Sequence, residues 1–102
     1  MIALVESKRA ELASLCARYH VRRLELFGSA AAANFDAARS DLDFLVDFQD
    51  VPLGEHANCY FGLLEALESL FGRRIDLAET RAITNPYFLA AIESTREVLY
   101  AA

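Results

Sequence analysis

The chain has 102 residues, 55% of them hydrophobic and 25% charged, far from the polar, highly charged make-up of a disordered segment. A chain of this size buries roughly 60 to 70% of its unfolded surface, enough for one core without staples, so a single domain over residues 1–102 is expected. Ten Lys and Arg against fifteen Asp and Glu leave a net charge of −5, which disfavours direct binding to nucleic acid or an anionic membrane and suits a basic partner.

Taken in chain order, the opening residues carry Glu6, Lys8, Arg9 and Glu11 among apolar positions, which excludes a signal-peptide core. Val5, Leu12, Leu15, Cys16 and Tyr19 share one helical face, predicting a helix over 2–19. "VRRLELFG" alternates over Leu24 and Leu26 as a strand. Gly28-Ser29 follows, and the alanines of "SAAAA" favour a short helix. "DLDFLVDF" sets Leu42, Phe44, Val46 and Phe48 on one face and Asp41, Asp43, Leu45 and Asp47 on the other, the period-2 pattern of a strand with one buried side.

Tyr60, Phe61, Leu63, Leu64, Leu67, Leu70 and Phe71 recur at helical spacing over about 56–71, and Gly72 can close that helix in a left-handed cap. "RRIDLAE" reads as a third strand, Ile75 and Leu77 inward, Arg74 and Asp76 outward. Asn85-Pro86 is an N-cap and first-turn pair for a last helix, after which "EVLY" either completes that helix or forms a short strand. The order gives an α/β or α+β domain with a small sheet. Cys16 and Cys59 lie far apart without paired histidines, which argues against zinc and for a reducing compartment. No window approaches the ~20 apolar residues of a membrane span, so a cytoplasmic location is expected.

The chemistry concentrates in "LFGSAAAANFDAARSDLDFLVDF". Residues i and i+2 of a strand lie about 6.6 to 7 Å apart on one face, so the carboxylates of Asp41 and Asp43 can converge above the sheet. A divalent ion relieves their repulsion, and Mg²⁺ is usually held by one or two carboxylates plus substrate phosphates. Asp76, outward on the next strand, can join them. A calcium-binding EF-hand loop is excluded, because Leu45, Val46 and Pro52 fall where a ligand, a glycine and the closing glutamate are needed. At the other end Gly28 lets a phosphate approach the backbone, Ser29 offers a hydroxyl, and the first-turn N–H groups attract an anion. Phosphate at one end and metal at the other describe a bound nucleoside triphosphate, and nucleotidyl transfer is the reaction such a site serves, with a third carboxylate taking the acceptor's proton.

These residues resemble the Gly-Ser … Asp-x-Asp signature of the polymerase-beta-type nucleotidyltransferase superfamily. With "RRIDLAE" and "NPYFLAAIESTREVLYAA", nearly the whole chain is similar to the minimal, MntA-like antitoxin members. The resemblance implies a small mixed sheet with helices packed on one side and ATP bound with one or two Mg²⁺ ions. It implies Gly28, Ser29 and Ser40 as nucleotide-binding residues, and Asp41, Asp43 and Asp76 as the catalytic, metal-holding carboxylates. It further implies an antitoxin role, with AMP transferred to a tyrosine of a HEPN-domain toxin; whether the chain forms a homo- or hetero-oligomer is left open by the sequence.

The chain departs from the family at Ala32 and Ala33, where members carry Arg-Gly, and has one extra residue before Ser40. Losing a guanidinium weakens the hold on phosphate; Arg39 and Arg74 are the arginines placed to substitute. A second reading therefore stands beside the enzyme: a catalytically impaired member of the same fold that neutralises or scaffolds its partner by contact. Simpler readings attach to single residues. A solvated strand face would also account for Asp41 and Asp43, and a plain turn for Gly28-Ser29. Asp36, Asp47, His20 and His56 read as surface groups and the cysteines as core. Tyr60 and Tyr87 are candidates to extend a partner surface.

Overall fold

A computed structural model describes residues 3–28, 42–52, 54–93 and 95–102. In place of one helix over 2–19, the chain forms α1 (Ala3–Glu6) and α2 (Arg9–Arg18). The interruption has a local cause. The Ser7 hydroxyl donates to the Leu4 carbonyl at 3.0 Å, the side-chain-to-backbone bond by which serine competes with helical pairing, and Lys8 sits at φ −112°, ψ 13°. The apolar face runs through the break, with Val5, Leu12 and Cys16 all buried.

The remaining elements are β1 (Val21–Phe27), β2 (Leu42–Phe48), α3 (Glu55–Phe71), β3 (Ile75–Glu79), a 3-10 turn at Thr80–Ala82, α4 (Pro86–Glu93) and β4 (Glu97–Ala101). "EVLY" is thus strand. The four strands form one sheet in the order β3-β2-β1-β4. β1 pairs antiparallel with β2 and with β4, while β2 and β3 run parallel. Parallel neighbours need a crossover, and α3 supplies it. The fold class is the expected one, a small mixed sheet with helices.

One sheet face packs on α2 and α3. Leu24, Leu26, Leu42, Phe44 and Val46 meet Leu12 and Cys16 of α2 and Leu63 and Leu67 of α3, all at most 1% exposed. Phe44 also stacks on Phe71, ring centroids 5.9 Å apart. Gly62 is what allows the helices to close: a Cβ there would lie 2.5 Å from the Tyr19 ring. Gly72 ends α3 as expected, at φ 61° with its N–H donating to the Glu68 carbonyl at 2.8 Å. From α3, the Tyr60 hydroxyl donates to the Leu77 carbonyl at 2.5 Å, covering part of the outer edge of β3.

The other face carries a smaller cluster in which Phe27 and Leu45 are buried beneath Ala78, Ile83 and Leu89. Leu45, grouped by alternation with the aspartates, is 1% exposed. Alternation correctly puts it opposite Phe44, but α4 covers that part of the face, so the strand is buried on both sides there and the helices do not all pack on one side, as the resemblance implied. α4 begins where Asn85-Pro86 predicts, Asn85 Oδ1 accepting from the N–H groups of Tyr87 at 2.9 Å and Phe88 at 3.4 Å. Among the described residues no helix is long and apolar enough to cross a membrane.

Candidate active site

Because Leu42 and Phe44 point into the helical core, Asp43 between them projects from the opposite face; Ile75 and Leu77 do the same for Asp76. The parallel register then makes Asp43 and Asp76 direct partners. Adjacent strands are about 4.8 Å apart, so the two carboxylates rise side by side from one surface. On the other flank of Asp43 its register partner is Phe27, and the next residue is Gly28.

Gly28 has φ +73°, a left-handed backbone that other residues adopt at a cost. A Cβ built on it would collide with Oδ2 of Asp43 and lie 3.3 Å from its Cγ. The Asp43 carboxylate therefore rests directly against the Gly28 backbone. Of the residues expected at the site, the structure brings together Gly28, Asp43 and Asp76. Ser29, Ser40 and Asp41 lie outside the described residues, as do Ala32, Ala33, Asp36 and Arg39. Arg74 is exposed, two positions before Asp76.

Two carboxylates side by side fit a hard divalent cation, since Mg²⁺ takes one or two carboxylates and fills its octahedron with water and phosphate oxygens. Among the described residues no group of three or more His, Cys, Asp or Glu is placed to hold a metal ion. What the described residues present is a pair of carboxylates, Asp43 and Asp76, in direct parallel register.

Alternation missed a further acidic feature on this face. Glu25 of β1 is 2% exposed and accepts two hydrogen bonds from Arg96, Nε at 2.6 Å and Nη2 at 2.7 Å, with Arg23 Nε at 3.2 Å. The Arg96 bonds, aided by the charges of Arg96 and Arg23, hold the Glu25 carboxyl below the usual carboxylate range despite burial, and the same bonds raise Arg96. The sequence signal was a glutamate inside "LELF", flanked by apolar residues on both sides. Asp47, read as a surface charge, is instead mostly covered and paired with Arg81 at 2.8 Å and Arg22 at 3.6 Å. His56 is exposed as expected, yet it pairs with Glu79 at 2.5 Å and meets the Phe48 ring edge-on. Tyr60 is half-buried, and burial, then Glu79 and Asp76, push its phenol up; Tyr87 is 84% exposed. Cys16 and Cys59 are buried, and burial pushes the Cys16 thiol up to about 12.

A cavity of about 360 Å³ lies at the far end of β2 from Asp43, lined by Phe48, Val51, His56, Glu79 and Arg81 among others. Its principal charges are already spent on the His56–Glu79 and Arg81–Asp47 pairs. The exposed Asp43–Asp76 surface is the better candidate, because there the carboxylates adjoin one another and a glycine backbone.

The model of the polymerase beta nucleotidyltransferase family matches residues 10–102. The chain belongs to this family. Two Methanocaldococcus jannaschii proteins described as protein adenylyltransferases are similar to this nucleotidyltransferase chain, 34% and 37% identical over 76 residues, covering 74% of this chain and 74% of each relative. A solved structure described as a minimal nucleotidyltransferase superposes with a TM-score of 0.74 at 31% identity, over 94% of this chain and 95% of that one. The fold recurs in a toxin–antitoxin structure with AMP-PNP, with a TM-score of 0.68 at 18% identity over 92% of this chain and 73% of that one. It recurs again in a tri-AMPylated Shewanella oneidensis HEPN toxin in complex with MNT antitoxin, with a TM-score of 0.64 at 16% identity over 95% and 72%. At those identities the likeness is one of fold.

Proposed function

We propose that this nucleotidyltransferase-family chain, acting as one domain in the cytoplasm, moves AMP from ATP to a hydroxyl with Mg²⁺, the acceptor being a tyrosine of a HEPN-type toxin that it neutralises. The observation that carries this reading is the parallel register of Asp43 and Asp76, with the Gly28 backbone against Asp43. The relatives described as protein adenylyltransferases support the reaction class. The AMPylated HEPN toxin bound to an antitoxin of the same fold supports the acceptor class.

In this reading Asp43 and Asp76, with Asp41, hold Mg²⁺, which neutralises triphosphate charge when bound. Gly28 lets the phosphates approach the backbone, and Ser29 and Ser40 donate to them. The acceptor oxygen bonds to the α-phosphorus, pyrophosphate leaves, and Asp76, the more exposed of the two described carboxylates, takes the proton of the acceptor hydroxyl. Ala32 and Ala33, in place of Arg-Gly, favour a second reading in which the fold neutralises the same partner by contact alone.

Co-expression with a HEPN-type toxin followed by intact-mass measurement tests the proposal. The toxin gains AMP with the natural chain and stays unmodified with Asp43→Asn/Asp76→Asn. A toxin that is neutralised yet unmodified by the natural chain assigns it to the contact mechanism.

A further inference from the structure

Glu25 is the buried charged side chain among the described residues, and the proposed chemistry does not use it. Its partner Arg96 sits between α4 and β4, 71 positions away, and also donates through Nη1 to Glu93 at 3.2 Å. One guanidinium therefore joins the middle of β1 to the last residue of α4 and the approach to β4. α4 in turn sets the Phe88 ring edge-on to Phe27 at 5.9 Å and adds Leu89 to the cluster with Phe27 and Leu45. Phe27 precedes Gly28 and is the register partner of Asp43, and Leu45 lies two residues beyond Asp43 on the same face. The path runs from Arg96 to Glu93 at the end of α4, along that helix to Phe88 and Leu89, and from them to both flanks of the candidate carboxylate.

We propose that Arg96 is a positioning residue for nucleotidyl transfer: its two-pronged hold on Glu25 fixes α4 over Phe27 and Leu45, and so fixes Gly28 and Asp43 beside it. This rests on the site reading above. A bidentate guanidinium–carboxylate pair sets orientation as well as energy, and a lysine cannot reproduce the fork. Stability alone does not call for such a pair, because well-packed apolar residues of similar volume often match a buried ion pair.

The test compares the natural chain with Arg96→Lys, Glu25→Gln and the charge-free Glu25→Leu/Arg96→Met. The readouts are the thermal midpoint, amide hydrogen exchange over residues 86–93, and calorimetric binding of Mg·ATP. Both single variants are expected to speed exchange in α4 and weaken Mg·ATP binding about tenfold, the scale seen when groups that orient metal ligands are lost. The double variant is expected to recover the midpoint without recovering the affinity, which a merely structural pair would restore. Natural affinity in the double variant overturns the proposal. Should the double variant not fold, natural affinity in Arg96→Lys overturns it equally. Unchanged α4 exchange in Arg96→Lys overturns the proposal alone, whereas a natural chain that does not bind Mg·ATP overturns the site reading and the proposal with it.

Discussion

Gly28 answers to two separate constraints, a left-handed backbone at φ +73° and a neighbour, the Asp43 carboxylate, where a Cβ would go. Gly28→Ala is therefore expected to cost about 1 to 2 kcal/mol for the backbone alone. It should also displace Asp43 and abolish Mg·ATP binding, effects that urea denaturation and calorimetry separate. Glu25 makes a different prediction. Its folded-state pKa lies below the ordinary 4.5, so its stabilising contribution is complete above that value and is lost as pH falls toward the lower folded value. Unfolding free energies of the natural chain and Glu25→Gln should differ by about 3 kcal/mol at neutral pH, and the gap should close below pH 4.5. A pH-independent gap would remove the ionised pair from the explanation. Asp43 and Asp76 were legible from strand alternation, since both sit between inward residues of short apolar runs. The Glu25–Arg96 pair was not, because no local pattern says that residue 96 reaches back across the sheet to residue 25.

The helical stripe over 2–19 was legible as a face and illegible as two helices, because the break is made by one serine hydroxyl that leaves the apolar spacing intact. α4 was legible from Asn85-Pro86, but its position over Phe27 and Leu45 is a tertiary fact that alternation cannot encode. The two sheet faces should differ in energy. Phe44, fully buried under α2 and α3 and stacked on Phe71, should cost about 3 to 5 kcal/mol on truncation to alanine. Phe88, 38% exposed and touching Phe27 edge-on, should cost about 0.5 to 1.5 kcal/mol. Denaturant midpoints of Phe44→Ala and Phe88→Ala check this; equal losses would mean that α4 is as integral to the core as α3.

For the whole molecule, the order of elements gave the α/β class, while the pairing had to come from the structure: β2 runs parallel to β3 because α3 carries the chain back across the sheet. That parallel register sets two separately readable aspartates side by side, which is what makes them one candidate site. The net charge of −5 bears on the proposed reading, because a surface of this sign does not attract ATP unaided and the nucleotide would have to be held through metal. Everything in the proposed function depends on Asp43 and Asp76 forming the metal end of a triphosphate site. Calorimetric titration of the natural chain and of Asp43→Asn with ATP, with and without Mg²⁺, tests it most directly. Saturable, Mg²⁺-dependent heat is expected from the natural chain and none from Asp43→Asn at an unchanged thermal midpoint. Equal heats from the two proteins, or binding indifferent to Mg²⁺, would contradict it.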